Sequence, residues 1–159
     1  MNGNFAKAFG IGIAAIAVVV AGILFMQRGA HMDLQGTIRA HTISTSKDDS
    51  LAFIDLRVTN PSDYSFMVRE VRVTVETPNG NKTTNIISRT DALRLFDSLP
   101  HNGPYNPPLY TRAEIPANST KDYTLAAQFN VPEEMLNSRT RFVVDVDEVN
   151  GKSFQFTGR

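Results

Sequence analysis

One stretch near the N-terminus constrains this chain more than any other feature of its sequence. Ala8 to Met26 are 19 consecutive residues without a charged side chain, and Lys7 and Arg28 flank them. At about 1.5 Å per residue, a helix of this length extends over roughly 28 Å, close to the thickness of the hydrocarbon core of a bilayer. The stretch therefore predicts one transmembrane helix that contacts lipid through residues 8–26.

The same stretch has the features of a signal anchor that is retained after export. A cleavable signal peptide has a shorter apolar part, about 7 to 15 residues long, and ends in small residues at the cleavage site. Here Arg28 stands where a small residue would be needed. We expect a tail and anchor at residues 1–28, a juxtamembrane linker at 29–33 and one soluble domain at 34–159.

The positive charges give only a weak indication of the side of the membrane on which the domain lies. Lys7 precedes the predicted helix, whereas Arg28 and Arg39 follow it, so the positive-inside bias is nearly balanced. Short N-terminal tails usually stay in the cytoplasm, which favours a periplasmic or extracellular domain. The opposite orientation stays open.

Four small residues have a spacing that places them on one face of the predicted helix: Gly10, Ala14, Ala17 and Ala21. Small residues allow two membrane helices to approach closely, so this face is a candidate surface for helix pairing and formation of a homodimer. Glycine and alanine are also common in membrane helices that do not pair. Both interpretations stay open.

Charge and cysteine content exclude several classes of partner and site. The chain has 16 Lys and Arg and 16 Asp and Glu, so it lacks the net basic field that attracts nucleic acid. It has no cysteine, and therefore no disulfide, thiolate metal site or cysteine nucleophile. We expect a domain that packing alone holds together.

After the predicted anchor, apolar residues recur at every second position. This period predicts strands with one buried face. The clearest sets are Ile54/Leu56/Val58, Val71/Val73/Val75, Tyr123/Leu125/Ala127/Phe129, Phe142/Val144/Val146 and Phe154/Phe156. Tight turns are predicted at Pro78–Asn81 and at Asn150–Gly151.

Further strands at residues 34–44, 82–88 and 109–115 bring the number to about eight. Two short helices interrupt them, one capped by Asp91 over residues 92–99 and one that starts at Pro132. Strands at regular spacing, separated by turns, are typical of two packed antiparallel sheets. The sequence thus predicts an all-β fold, an antiparallel β-sandwich.

The segment around Asn60–Pro61 carries a resemblance to a known family. A strand that ends in Asn-Pro, followed by residues 62–66 and the alternating strand at 71–75, resembles the water-stress (WHy-type) late-embryogenesis-abundant domain. Residues 115–132 are similar to that family's turn and penultimate strand, whereas residues 89–110 depart from its pattern. The resemblance implies an Ig-like or fibronectin-like sandwich and a role in protection against drying. It also suits bacterial envelope proteins that combine one anchor with one such domain.

Motifs for catalysis and metal binding are missing from the sequence. It has no G-x-S-x-G elbow, no P-loop and no H-E-x-x-H, and His31, His41 and His101 have no metal-ligand spacing. Residues 145–151 are acidic and end in Asn-Gly, which suggests a calcium loop, but their alternation favours a hairpin with solvated acids. We expect no enzyme activity, no metal and no cofactor.

The segment from Leu93 to Tyr110 is the candidate binding loop. A short helix presents Leu95 and Phe96, and a proline-rich loop presents Tyr105 and Tyr110. Tyrosine is favoured at interfaces, and loops on rigid sandwiches often bind partners. In the alternative interpretation, Leu95, Phe96 and Leu99 close an open end of the sandwich, and the prolines stiffen the connection. The expected function is non-catalytic protein interaction or envelope organisation at a membrane surface, with an unknown partner.

Overall fold

The computed structural model describes residues 3–27, 33–44, 48–98 and 105–158. The chain divides into two units, Met1–Met32 and Asp33–Arg159. Several predictions lie outside the described residues, namely those for Arg28, for the linker up to Met32, for His31 and for the loop at 99–104 with His101. The side chain of His41 is likewise not described.

The N-terminal unit contains one helix, α1 (Gly3–Gln27), 25 residues long. Its side chains are described from Phe9 to Leu24, and the large apolar ones are exposed, from 48% for Val20 to 72% for Ile11. The four small residues of the predicted pairing face lie in this part of α1, and helix pairing stays a prediction.

Among the helices formed by the described residues, none combines the length and the apolarity that a membrane crossing requires.

In the described residues, strands and two helices build the C-terminal unit. In chain order these elements are β1 (Gln35–Ser44), β2 (Ser50–Asn60), β3 (Phe66–Thr77), β4 (Gly80–Asn85), α2 (Arg89–Ser98), β5 (Glu114–Ile115), β6 (Ser119–Phe129), α3 (Glu133–Asn137), β7 (Arg141–Glu148) and β8 (Ser153–Gly158). One sheet has the order β1-β2-β6; the other has the order β4-β3-β7-β8, with the short β5 on β3. The pairings between named strands are antiparallel, which confirms the predicted all-β architecture of two antiparallel sheets.

The core lies between the two sheets and consists of the alternating apolar residues. Ile54, Leu56 and Val58 of β2 are at most 1% exposed, and Val73 and Val75 of β3 are fully buried. Members of the other predicted sets are buried in the same cluster: Leu125, Ala127, Phe129, Phe142, Val144, Val146, Phe154 and Phe156. The period-two pattern therefore identified the inner face of both sheets.

Two element boundaries differ from the sequence prediction. Residues 109–113 form no strand because the chain turns there: Arg112 adopts a positive φ of 71°, and the N–H of Ala113 donates to the carbonyl oxygen of Tyr110 at 3.0 Å. Helix α2 begins at Arg89, three residues earlier than expected. Its cap is Ser88, whose hydroxyl accepts the N–H of Asp91 at 3.3 Å and donates to the Asp91 carboxylate at 2.7 Å.

The turns and the second short helix follow the prediction. Gly80 and Gly151 adopt φ of 117° and 90° in the two hairpins. Helix α3 follows Pro132 and has Glu133 and Glu134 in its first turn.

Two glycines allow the edges of the sheets to meet at β1 and β8. A Cβ atom at Gly158 would lie 2.5 Å from the carbonyl oxygen of Ile38 on β1, and one at Gly36 would lie 2.9 Å from the ring of Phe156 on β8. Side chains at these positions would therefore push the two strands apart. On the opposite side, Ile86 pairs with Ala127 and joins the sheets through the chain that follows β4.

Asn60 fixes the connection between the sheets at the end of β2. Its side chain is fully buried, and its Nδ2 donates to the carbonyl oxygens of Tyr64 at 2.7 Å and Pro116 at 3.0 Å. Its Oδ1 accepts the N–H of Ser62 at 3.0 Å. The Asn60 side chain thus satisfies buried backbone groups of the loop, which is a structural role.

Candidate functional site

The outer face of the three-stranded sheet is divided into an apolar half and a polar half. On β2 the outward residues are first Leu51 and Phe53, then Asp55 and Arg57. Helix α2 and Tyr105 cover the apolar half. We call this covered half, together with the side chains that cover it, the aromatic cap. The polar half is an open concavity of about 320 Å³, which we call the polar trough; it is lined by Thr37, Arg39, Asp55, Leu56, Arg57, Asn106 and Asp122.

The aromatic cap contains three of the four residues of the predicted binding loop. The rings of Phe96 and Tyr105 stack with their centroids 4.4 Å apart, and the ring of fully buried Phe53 lies 5.5 Å from that of Tyr105. Leu95 packs against the same cluster. These side chains are half-buried on the outer face of the three-stranded sheet, instead of plugging an open end of the sandwich.

Tyr110, the fourth residue of that prediction, lies elsewhere. Its ring packs against the main core, and the guanidinium of Arg89 lies 4.6 Å from the ring centroid, a cation–π contact. The structure therefore does not bring Tyr105 and Tyr110 together in one surface. Whether either residue contacts a partner stays a prediction.

The polar trough contains a bidentate ion pair. Arg57 donates to the two carboxylate oxygens of Asp122 at 2.7 Å and 2.9 Å. This hydrogen bond, supported by the attraction between the charges, raises the pKa of Arg57 and lowers the pKa of Asp122. Two parallel hydrogen bonds fix the orientation of both side chains.

A second polar contact connects the trough to the aromatic cap. The buried hydroxyl of Thr124 donates to Asp55 at 2.7 Å and accepts the N–H of Asn106 at 3.2 Å. Asn106 follows Tyr105, so the loop that completes the cap also forms one wall of the trough. Burial and, secondarily, the charge of Asp55 raise the pKa of Tyr105 above its ordinary value.

Arg39 is the cation of the trough that has no ion-pair partner among the described residues. It projects from β1 directly opposite Asp55, which already accepts the Thr124 hydroxyl. An exposed guanidinium beside fixed carboxylates can bind an incoming carboxylate in a bidentate geometry.

The acidic run that suggested calcium has other partners. Asp147 is 3% exposed and accepts the hydroxyl of Ser153, together with the guanidinium groups of Arg72 at 3.2 Å and Arg69 at 3.4 Å. The Ser153 hydrogen bond, followed by the two arginine charges, holds the pKa of Asp147 below its usual range. Among the described residues, no group of three His, Cys, Asp or Glu is arranged to hold a metal ion.

Comparison with known proteins assigns no family. No family model and no curated protein matches the chain. A structural genomics target, SoR45, matches with a TM-score of 0.43 and 11% identity over 81% of this chain and 85% of its own. The putative ApaA protein from Bordetella pertussis matches with a TM-score of 0.39 and 12% identity over 80% of this chain and 89% of its own.

Proposed function

We propose that this protein is a membrane-tethered, non-catalytic recognition module whose sandwich domain binds a protein partner in the polar trough. Helix α1 provides the tether, with the domain on the extracytoplasmic side. The carrying observation is Arg39, a guanidinium without an ion pair among the described residues, in a concavity whose other charges are already fixed.

The tether is supported by the amino-acid sequence of α1, and not by a membrane-crossing helix among the described residues, where none is found. The 25 residues of α1 include the whole uncharged stretch from Ala8 to Met26. Its side chains are described from Phe9 to Leu24, so the uncharged stretch is longer than the described part. The described apolar side chains are exposed on all sides of the helix. A helix that is apolar all round is typical of a lipid or protein interior.

Recognition is supported by preorganisation of the trough. Arg57 and Asp122 hold each other, and Asp55 is held by Thr124, so a partner would not have to order these side chains on binding. Side chains that are already fixed lower the entropic cost of association. A partner segment that presents a carboxylate would pair with Arg39 at one side of this fixed frame.

The chemistry of the trough favours binding over catalysis. Nucleophilic catalysis needs an exposed hydroxyl activated by a base. The hydroxyl that lies beside a carboxylate here is that of Thr124, which is fully buried and also accepts a backbone N–H. A substrate would not reach it, so the pair of Thr124 and Asp55 serves to fix the trough.

We further infer that the sandwich is of the Ig-like, fibronectin-like kind. The order β1-β2-β6 corresponds to strands A, B and E of such sandwiches, and β3-β7-β8 corresponds to C, F and G. Strand β4 extends the second sheet beside β3, as strand C′ does in variable-type domains. The resemblance carried by Asn60 and Pro61 points in the same direction.

Site-specific photo-crosslinking in native membranes tests the proposal. A benzoylphenylalanine at Thr37, in the trough, should capture a partner that the same group at Thr83, on the other sheet, does not. The adduct should disappear with Arg39→Glu and persist with the control Lys82→Glu. Equal capture at both positions, or an adduct insensitive to Arg39→Glu, would contradict binding in the trough.

A second candidate function is protection during drying, which the resemblance around Asn60–Pro61 favours. A domain of that type would preserve the activity of a co-dried enzyme without a specific site. Protection that is unchanged in Arg39→Glu, together with no trough adduct, would favour this function over partner recognition.

A further inference from the structure

Exposed apolar side chains of the domain are concentrated at one end of the sandwich. Outside α1, the exposed large apolar residues among those described are Tyr64 at 61%, Val149 at 54%, Met67 at 46% and Leu93 at 43%. Tyr64 lies in the loop before β3, Met67 lies at the start of β3, and Val149 directly follows β7. Leu93 lies on α2, in the aromatic cap region.

The three residues share the end of the sandwich at which the chain enters the domain. Val149 donates its N–H to the carbonyl of Met67 at 3.0 Å, which places these two residues side by side. The carbonyl oxygen of Tyr64 accepts a hydrogen bond from the side-chain amide of Asn60, the last residue of β2. This end of β2 pairs with the start of β1. We call the surface formed by Tyr64, Met67 and Val149 the entry end.

Only a short segment separates the entry end from α1. Gln27 ends the helix and Asp33 opens the domain unit, so six residue steps join them. At a maximum of about 3.6 Å per residue, these steps extend over roughly 22 Å. If α1 is embedded in a bilayer, Asp33 must lie within that distance of Gln27, and β1 begins two residues later.

We propose that the entry end inserts its apolar side chains into the interfacial layer of the bilayer that holds α1. This inference depends on the proposed tether. Tyrosine is enriched at the level of the lipid headgroups, because its ring is apolar and its hydroxyl is wet. Met67 and Val149 supply apolar surface that would otherwise face water.

The charges at the entry end fit a neutral lipid surface. Exposed Arg69 and Arg112 are accompanied by exposed Asp63 and Glu114, so neither sign dominates. The contact therefore depends on apolar insertion and not on anionic lipids. Vesicles of phosphatidylcholine are the appropriate probe.

Single-tryptophan fluorescence tests the inference, because the chain has no tryptophan. The full chain is reconstituted in phosphatidylcholine that carries bromine near the top of its acyl chains, in variants Met67→Trp, Val149→Trp and Leu93→Trp. Bromine quenches only tryptophans within the lipid layer. The first two variants should lose most of their emission and shift it to the blue, whereas Leu93→Trp, with a similarly exposed parent residue, should keep its emission.

Flotation and circular dichroism of the same samples separate the possible failures. If the chain does not float with the vesicles after alkaline extraction, the tether itself is wrong and the inference fails with it. If the folded chain floats with the vesicles and the three tryptophans show equally weak quenching, the tether is supported and insertion of the entry end is refuted. Quenching at both entry-end positions alone supports the proposal.

Discussion

The outer faces of the two sheets have similar side chains but different surroundings. Each carries a bidentate pair between neighbouring strands, Arg57 with Asp122 on the three-stranded sheet and Arg141 with Glu76 on the five-stranded sheet. The pair of Arg57 and Asp122 lies in the polar trough, where Asn106 forms part of the wall. Surroundings, more than residue type, therefore distinguish a candidate site from an ordinary solvated face.

The largest expected effect concerns the covered half of the three-stranded sheet. Phe53 is fully buried beneath α2, so Phe53→Ala should remove about 3–5 kcal/mol from the free energy of unfolding. The matched change on the other outer face is Thr74→Ala, which loses one exposed hydrogen bond to Thr83 and should stay within about 0.5 kcal/mol. Denaturant unfolding of both variants measures the difference; similar losses would mean that α2 does not cover the sheet in solution.

A smaller effect is expected at the buried carboxylate of the five-stranded sheet. Asp147→Asn removes the charge that Arg69 and Arg72 face, and should cost about 1.5–3 kcal/mol at neutral pH. The control is Asp145→Asn on the same strand, where the carboxylate accepts one exposed hydrogen bond from Gln155. Asp145→Asn should lower the free energy of unfolding by less than Asp147→Asn does.

The pH dependence of the same variant checks its cause. The pKa of Asp147 is lower in the folded chain than in the unfolded chain. The contribution of its charge to the free energy of unfolding is therefore complete above the unfolded-state pKa of about 3.9, and it is lost as the pH falls through the folded-state pKa. The deficit of Asp147→Asn should therefore shrink in acid. Unfolding curves that show a constant deficit at all pH values would assign the loss to packing instead of charge.

Helix α2 offers a milder way to weaken the cover of the three-stranded sheet. Ser88→Ala removes the N-cap and should cost about 1 kcal/mol, since the N–H of Asp91 then loses its side-chain acceptor. Ser98→Ala, near the other end of the helix, is the control because its hydroxyl only donates back to Leu95. Hydrogen exchange in α2 should accelerate in the first variant and change little in the second.

The sequence predicted what depends on local alternation and left open what depends on register. Strands and inner faces followed from the period of two, and both hairpins followed from their turn residues. The cover of the outer face had a local signal that the prediction missed: Leu51 to Ile54 are four consecutive apolar residues, and such a run indicates a strand buried on both faces. That signal predicts a cover over both faces of this end of β2, without identifying α2 as the element that supplies it.

The polar trough had no comparable signal. Arg57 and Asp122 are 65 positions apart, and only the pairing of β2 with β6 brings them together. Asn60 carries part of the family resemblance, whereas its buried hydrogen bonds explain the residue by the geometry of the loop. Alternating polar residues show that a strand face is exposed, but not which of them will meet.

The smallest expected effect on stability gives the sharpest test of the comparison between the two faces. Arg57→Ala and Arg141→Ala each remove one exposed bidentate pair, and exposed pairs contribute little to folding, so both variants should unfold close to the parent chain. Their effects on the Thr37 crosslink should differ. Arg57→Ala leaves Asp122 without its guanidinium inside the trough, and this negative charge should repel a partner carboxylate that approaches Arg39. Arg141→Ala leaves the trough intact and should not alter the adduct. If both variants reduce the adduct equally, partner capture does not depend on the trough, and the two outer faces are equivalent in function as well as in chemistry.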